Sequence, residues 1–251
     1  MAHAPVPARS PPAEGHRFRG NVAALGRVAL IGLALSTADA TAQVSGSMSA
    51  VSNYRYRGVS LSHNDPAAQA AIVYDDPQGW YAGAFASTVR IGNPTANEVQ
   101  GSFFAGYART MPVGATFEAG IVYTGFTGPT SYAYPEVMLG ATYDRINARM
   151  LYSANYYGRG ADAFYGELNA AHRLSEHVQV VAHVGALWTR AKDVYGDSLD
   201  TVYDGRVGVA FDFQHFTVQV SWIGISDANA GYGLTGVRSR NGPVMSISWL
   251  F

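Results

Sequence analysis

The sequence predicts an all-β protein, a transmembrane antiparallel up-and-down β-barrel of about 12 strands that follows a cleaved signal peptide. First, apolar and polar residues alternate from Val44 onward in segments of about ten residues, the length that a tilted membrane strand needs. Second, only 14% of the 251 residues are charged while 48% are hydrophobic, against about 25% charged in soluble proteins. Third, the chain ends in an alternating strand at 243–251 with one large apolar face. Such an edge would aggregate in water, so we expect it to pair with the first strand and face lipid.

The N-terminal segment 1–42 is predicted to be a signal peptide with an N-terminal extension, and 43–251 the barrel. Arginines precede an apolar run at 28–35, and small residues follow it. Two overlapping A-x-A cleavage sites end at Ala40 and Ala42, and the sequence leaves the choice between them open. A short core helix is the alternative interpretation of the apolar run. An exported barrel of this kind is expected in the outer membrane of a Gram-negative bacterium.

Clusters of Gly, Pro, Asn and Asp divide the alternating region into twelve predicted strands. Tight connections follow the even-numbered strands and longer ones follow the odd-numbered strands. Outer-membrane barrels have this arrangement of short periplasmic turns and longer extracellular loops, and an even strand count places both termini in the periplasm. The predicted strands are 44–57, 67–74, 80–91, 98–111, 115–126, 134–143, 148–157, 164–174, 178–188, 201–213, 216–225 and 243–251.

Charged residues share one face of each predicted strand. On the tenth strand, Asp204 and Arg206 lie on one face, and Val207 and Phe211 lie on the other. An Arg or Lys facing lipid costs about 2–4 kcal/mol at the bilayer midplane, so the charged face should line the lumen. Arg109 departs from the rule at a strand end, where a long side chain can reach the interface. The predicted lumen-lining residues are Arg55, Arg57, Arg90, Glu98, Glu118, Glu136, Arg149, Glu167, Arg173, Asp204, Arg206 and Asp212.

Aromatic residues cluster near the predicted strand ends. Aromatic rings favour the headgroup level of a bilayer, so the collective placement predicts two girdles, although any single residue could be an ordinary strand aromatic. The residues assigned to the girdles are Tyr54, Tyr56, Trp80, Tyr81, Tyr107, Tyr123, Tyr134, Tyr143, Tyr156, Trp188, Trp249 and Phe251.

One stretch resembles a known family. Residues 51–60 read Val-Ser-Asn-Tyr-Arg-Tyr-Arg-Gly-Val-Ser, followed by Asp-Pro-Ala-Ala-Gln at 65–69 and Gly-Trp-Tyr-Ala-Gly at 79–83. These motifs resemble the TorF-type porin family, also known as the Gcw family of uncharacterised proteobacterial outer-membrane proteins. The resemblance implies a pore-forming barrel and offers no catalytic residues to transfer. The terminal Phe251 resembles the C-terminal aromatic that the outer-membrane assembly machinery reads.

Other kinds of chemistry find little support. The absence of cysteine excludes disulfides and thiolate metal sites, and a net charge of −1 argues against nucleic acid as a partner. The G-x-G-x-x-G match at 231–236 lacks the strand and helix that a dinucleotide site needs, so we expect a surface loop and no cofactor. Asp193, Asp197 and Asp200 lack calcium-loop spacing. No histidine lies on the lipid face at the outer rim, where a lipid hydrolase would need one, so the protein is predicted not to be an enzyme.

The sequence therefore predicts a passive channel for small hydrophilic solutes or ions, seated in outer-membrane lipid. The alternative is a closed structural or adhesive barrel that acts through loops 190–200 and 226–242. Eight-stranded barrels are filled by side chains and those of sixteen to eighteen strands are open. A barrel of about twelve lies between these cases, so opposite charges could also pair across the lumen and close it.

Overall fold

A computed structural model describes residues 42–91, 98–128, 132–190, 201–229 and 239–251. The predicted signal peptide lies outside these residues, apart from its last position. The G-x-G-x-x-G match and the three loop aspartates also lie outside them.

The described strands form one closed antiparallel barrel of twelve strands and a separate two-stranded hairpin, which confirms the predicted fold class. Each barrel strand pairs with its sequence neighbours, and the ring closes where the first strand pairs with the last. Within the described residues, no helix is both long and apolar enough to cross a bilayer. The strands are β1 Gln43–Val51, β2 Arg55–Tyr56, β3 Val59–Ser60, β4 Ala67–Asp75, β5 Trp80–Val89, β6 Glu98–Thr110, β7 Thr116–Phe126, β8 Tyr134–Tyr143, β9 Ile146–Ser153, β10 Ala163–Arg173, β11 Val178–Thr189, β12 Val202–Phe213, β13 Phe216–Ile225 and β14 Gly242–Leu250.

The seam between β1 and β14 closes the barrel. Ser47 pairs with Leu250 and Val51 pairs with Ser246. Gly46 and Phe251 then exchange two backbone hydrogen bonds of 2.8 and 3.0 Å. A side chain at Gly46 would lie 2.5 Å from the Phe251 ring, so this glycine provides the space for the ring on the outer surface. The predicted pairing of the first and last strands is confirmed.

The outer surface carries an apolar belt. Alternate residues of the barrel strands point outward and are exposed, while their neighbours point into the lumen, as the pleat of a strand requires. A belt of this kind suits the hydrocarbon core of a bilayer. In a closed ring the backbone N–H and C=O groups of each strand form hydrogen bonds with the neighbouring strands, so they do not face lipid unpaired. Outward residues near the middle of the strands include Met48, Ile72, Phe103, Ile121, Leu139, Met150, Leu168, Val184, Val207, Val220 and Ile247.

Two predicted strand boundaries were wrong. The first strand was expected to extend to residue 57, but β1 ends at Val51 and the chain turns back into the barrel as the hairpin β2–β3. The seventh was expected at 148–157, but β9 starts earlier and ends at Ser153, before a short 3₁₀ helix at Tyr156–Gly158. After β1 the alternation continues past the true strand end, because a hairpin inside the lumen also has two different faces.

The aromatic girdle prediction was also partly wrong. Seven of the assigned residues lie on the outer surface, namely Trp80, Tyr107, Tyr123, Tyr143, Trp188, Trp249 and Phe251. The other five are buried inside the barrel, namely Tyr54, Tyr56, Tyr81, Tyr134 and Tyr156. Strand-end position alone does not separate a headgroup ring from a lumen ring. Only the face of the strand does.

Candidate functional site

Residues 52–66, here called the lumen segment, fold into the barrel from the end that carries the long loops. Their tip is the two-residue turn of the hairpin β2–β3, where Arg57 has φ 49° and Gly58 has φ 78°. Positive φ at both positions is typical of a type I′ turn, which usually takes Asn-Gly or Gly-Gly. An arginine in this conformation is uncommon, and its surroundings must hold it there.

The lumen segment is ordered by its own hydrogen bonds. The backbone N–H of Leu61 donates to the Tyr54 carbonyl at 2.9 Å, and the Tyr54 N–H donates to Ser62 Oγ at 2.9 Å. The Ser60 hydroxyl donates to Asn53 Oδ1 at 2.8 Å. These residues belong to the motif at 51–60 or lie just after it, so the motif encodes the inserted hairpin.

Arg57 anchors the tip of the hairpin to β8. Its guanidinium lies 2.7 Å from Glu136, and both side chains are almost fully buried, with 4% and 2% exposed. The same guanidinium lies over the rings of Tyr56 and Tyr165, 4.9 and 4.4 Å from the ring centroids. Burial acts to lower the pKa of Arg57, but Glu136 and the surrounding tyrosines outweigh it and raise the pKa well above its usual value. Arg57 is therefore held as a charged, sealed ion pair.

The opposite side of the turn contacts β12 and β13. A side chain at Gly58 would lie 2.7 Å from Cβ of Asp204 and 3.1 Å from Ile225. Positive φ and this close approach both favour glycine here. The hairpin therefore crosses the lumen, from Glu136 on β8 to Asp204 on β12.

Aromatic rings pack around the anchor on the β8 side. Tyr134 lies 5.0 Å from Tyr156 and 4.8 Å from Tyr157, centroid to centroid. These rings are fully buried together with Val59 and Leu61 of the lumen segment. This side of the lumen is a buried core of aromatic and apolar side chains near the long-loop end.

The same wall remains filled further toward the turn end. A second buried cluster is formed by strands β4 to β8, and the Tyr81 hydroxyl there donates to Glu118 at 3.3 Å. Glu118 also accepts from Arg149 at 2.8 Å, and Arg149 lies 4.0 Å from Glu167. The buried apolar cluster of strands β4 to β8 comprises Val73, Tyr81, Phe104, Ala108, Val122 and Met138.

The opposite wall, formed by β13, β14 and β1, carries small polar side chains. Ser49 donates to Ser248 at 2.8 Å, and the Gln219 amide donates to Ser221 at 2.6 Å. The Oε1 atom of Gln219 has no hydrogen-bond partner among the described residues, and ordered water is the usual partner of such an atom. The inward polar residues of this wall are Ser47, Ser49, Thr217, Gln219, Ser221, Ser246 and Ser248.

A cleft separates the lumen segment from this polar wall. On the segment side, Arg55 donates to the Gly58 carbonyl at 3.0 Å and to the Arg240 carbonyl. On the barrel side, Asp204 accepts from Tyr165 at 2.8 Å and lies 2.8 Å from His183. The cleft is lined by Val51, Asn53, Tyr54, Arg55, Gly58, His183, Asp204, Arg206, Gln219, Ser221, Ile223, Val244 and Ser246.

The structure places the remaining predicted residues as follows. Arg90 contacts Asp65 of the lumen segment. Arg173 lies 3.8 Å from Asp212 near the turn end, where both are partly exposed. Glu98 begins β6, and its Oε2 atom is buried. Of the twelve predicted residues, Arg55 and Arg57 belong to the inserted hairpin, and only Arg55, Asp204 and Arg206 line the cleft.

Sequence reasoning missed the inserted hairpin and the His183–Asp204–Tyr165 contacts. One signal was present: an X-Gly dipeptide at 57–58 lies between the apolar residues Tyr56 and Val59, the pattern of a tight hairpin. This signal was weak because arginine is uncommon at the first position of such a turn. The described residues contain no group of three or more His, Asp or Glu residues that could hold a metal ion.

Comparison with known proteins agrees with this architecture. A family model described as a bacterial protein of unknown function (Gcw_chp) matches residues 35–246. No curated protein matches the sequence. The solved structure of the KdgM porin is 10% identical, with 82% of this chain and 99% of that chain covered and a TM-score of 0.52. The NanC porin is 11% identical, with 83% and 98% covered and a TM-score of 0.53. At these identities the similarity establishes the porin-like barrel fold.

The fold and its surface also establish the location. A closed antiparallel barrel with an apolar outer belt, aromatic girdles, short turns at one end and longer loops at the other is the architecture of bacterial outer-membrane proteins. The chain is therefore an outer-membrane protein, as the sequence predicted.

Proposed function

We propose that this chain, which belongs to the Gcw_chp family of bacterial proteins of unknown function, forms a passive outer-membrane channel for small hydrophilic solutes. We further propose that it is of the TorF type within that family, and that residues 1–42 are its cleaved signal peptide. The lumen segment narrows the passage to the side of the barrel that β13, β14 and β1 form.

The observation that carries the proposal is the strip of small polar side chains on this wall. Serines and Thr217 follow the wall from the cleft toward the turn end, facing inward. The β4–β8 wall differs in carrying a buried cluster of larger apolar side chains, which includes Phe104 and Met138, beside its polar ones. Hydroxyl and amide side chains can donate and accept hydrogen bonds with water and with hydrophilic solutes, as a hydrated passage requires.

Conductance measurements test this function directly. Protein purified from outer membranes is inserted into planar bilayers, and single-channel currents are recorded in several salts and at several voltages. We expect small, resolved conductance steps, because the lumen segment occupies much of the cross-section. The complete absence of steps, together with the absence of solute flux in liposome swelling, would refute the channel and favour a closed barrel that acts through its loops.

We also propose that Phe251 is read by the outer-membrane assembly machinery. Its ring lies on the outer surface over Gly46, and its backbone completes the seam. Deletion of Phe251 should lower the yield of membrane-inserted barrel more than it changes the conductance of the barrels that do insert. The measurement is the amount of protein whose gel mobility shifts on boiling. A normal inserted yield would contradict the proposal.

A further inference from the structure

Arg55 is a buried arginine whose contacts are all with neutral groups. Its side chain donates to the carbonyls of Gly58 and Arg240 and, at 3.5 Å, to Asn64 Oδ1. Its Nε atom is buried and has no partner among the described residues. The residue is only 7% exposed. No carboxylate forms an ion pair with it within the described residues.

This environment is the reverse of that of Arg57. Burial alone lowers the pKa of the Arg55 guanidinium to about 10, whereas Glu136 raises the pKa of Arg57. At neutral pH both side chains remain charged. A buried charge is costly unless an opposite charge or several hydrogen bonds compensate for it. The three oxygens fix the Arg55 guanidinium in place, but none of the described carboxylates serves as its counterion.

We propose that the cleft beside Arg55 binds a small hydroxylated carboxylate, a solute of the hydroxy-acid class. A carboxylate is the preferred partner of a guanidinium, since it accepts charge-assisted hydrogen bonds. The facing wall supplies Gln219, Ser221 and Ser246, whose amide and hydroxyl groups match a hydroxyl on the solute. The cleft carboxylate of Asp204 is already engaged by Tyr165 and His183, which reduces its repulsion of an anion.

The inference deepens the proposed channel function and rests on it, because it names the class of solute that the passage selects. Its test nevertheless measures binding rather than conduction. If the purified barrel binds the carboxylate but shows no conductance, the channel fails and the site stands. If it conducts but binds no carboxylate, the site fails and the channel stands.

The binding test is titration calorimetry on protein purified from outer membranes in detergent. Sodium glycolate is the probe, ethylene glycol is its neutral counterpart of similar size, and sodium chloride tests for a simple halide site. We expect saturable binding of glycolate, with much weaker binding of the other two. Equal binding of chloride and glycolate, or no binding of glycolate, overturns the proposal.

Two variants locate the site. Arg55→Gln keeps a hydrogen-bonding side chain but removes the charge, and should weaken glycolate binding at least about tenfold, the range expected for a charge-assisted hydrogen bond. Gln219→Glu changes the other side of the cleft, is nearly isosteric and leaves the hairpin intact. It places a negative charge facing the ligand and should also weaken binding. Tighter or unchanged binding in Gln219→Glu would overturn the anionic assignment, even if Arg55→Gln failed to fold.

Arg145→Gln is the matched control. Arg145 is a partly exposed arginine in the turn between β8 and β9, far from the cleft. The loss of one surface positive charge there should leave glycolate binding unchanged. A similar loss in this variant would show that Arg55 acts only through the overall charge of the protein, and would overturn the site.

Discussion

The two sides of the lumen differ in the side chains that contact the lumen segment. On the β8 side, the tip of the lumen segment is sealed by the Arg57–Glu136 pair and by packed tyrosine rings. On the β12–β14 side, the same segment faces a cleft with small hydroxyl side chains, and its Arg55 forms no ion pair with any residue that the structure describes. One hairpin therefore contributes an arginine to each environment. The Arg57–Glu136 side fixes where the segment lies, and the proposed passage for solutes lies on the other side.

The difference shows how a barrel of intermediate size can be filled on one side and keep a cleft on the other. A barrel of twelve strands is wider than an eight-stranded barrel, whose lumen is filled by side chains. It is narrower than the porins of sixteen to eighteen strands, whose lumen is open. Here the added material is asymmetric. The hairpin packs against the apolar wall as in a protein core, and a cleft separates it from the polar wall.

Removal of the charge on Glu136 should produce the largest effect. Glu136→Gln leaves the Arg57 charge buried without its partner, and the loss of one member of a buried pair costs about 3–5 kcal/mol. The hairpin should lose its anchor on β8, so both the melting temperature should fall and the single-channel conductance should rise. Thermal unfolding by circular dichroism and bilayer recordings measure the two changes.

The double variant Arg57→Met and Glu136→Met provides the control for this prediction. Replacement of a buried pair by apolar side chains of similar volume is often neutral or stabilising, so most of the lost stability should return. Unchanged melting temperature and conductance in Glu136→Gln would contradict the anchoring role.

A change at the tip should have a smaller effect. Gly58→Val imposes a β-branched side chain on a position with φ 78°, where its Cβ would lie 2.7 Å from Asp204 Cβ. Backbone strain of this kind costs about 1–3 kcal/mol. The turn should move away from β12, which widens the cleft and raises the conductance less than Glu136→Gln does. Gly114→Val is the control, since Gly114 also has positive φ but lies in an open turn at the other end of the barrel. It should lower stability alone, and an equal rise in conductance there would refute the local explanation.

A substitution on the polar wall should have the smallest effect on stability. Ser246→Leu places a larger apolar side chain in the cleft, where the space available makes the cost less than the roughly 1–3 kcal/mol of overpacking in a dense core. The conductance should fall while the melting temperature changes little. Ser248→Leu tests the same wall closer to the turn end. A large loss of stability in Ser246→Leu would show that this wall is packed rather than hydrated.

Much of the barrel could be predicted from the sequence because the two faces of each strand meet different surroundings, lipid outside and the lumen inside. Lipid excludes charge from the outer face, so Arg206 and Asp204 had to share the other one, and the strand period follows. The closing strand was recognisable for the same reason, since Ile247 and Trp249 must lie outside when Ser246 and Ser248 lie inside.

The site was harder to predict because the lumen segment has the same alternation of residues as a membrane strand, although its side chains make contacts inside the barrel. Tyr54 and Tyr56 alternate with Arg55 and Arg57 as they would on a membrane strand. However, the Tyr54 ring packs near Phe85, and the Tyr56 hydroxyl accepts a hydrogen bond from Tyr134, so neither faces lipid. Which charges pair across the lumen is a long-range property that alternation does not encode. The Arg57–Glu136 contact joins residues that are distant in the chain and depends on the barrel being closed.

The hydrogen bonds of the seam continue into the lumen segment. The backbone N–H of Ser52 donates to the Met245 carbonyl at 2.8 Å, one residue beyond the last paired residue of β1. The hairpin is thus attached directly to the strand that closes the ring. A slip of one residue between β1 and β14 would shift the chain by about 3.3 Å and reverse its faces, which would separate Arg57 from Glu136. The buried ion pair is therefore compatible with the observed register of the first and last strands and would be lost in a register shifted by one residue.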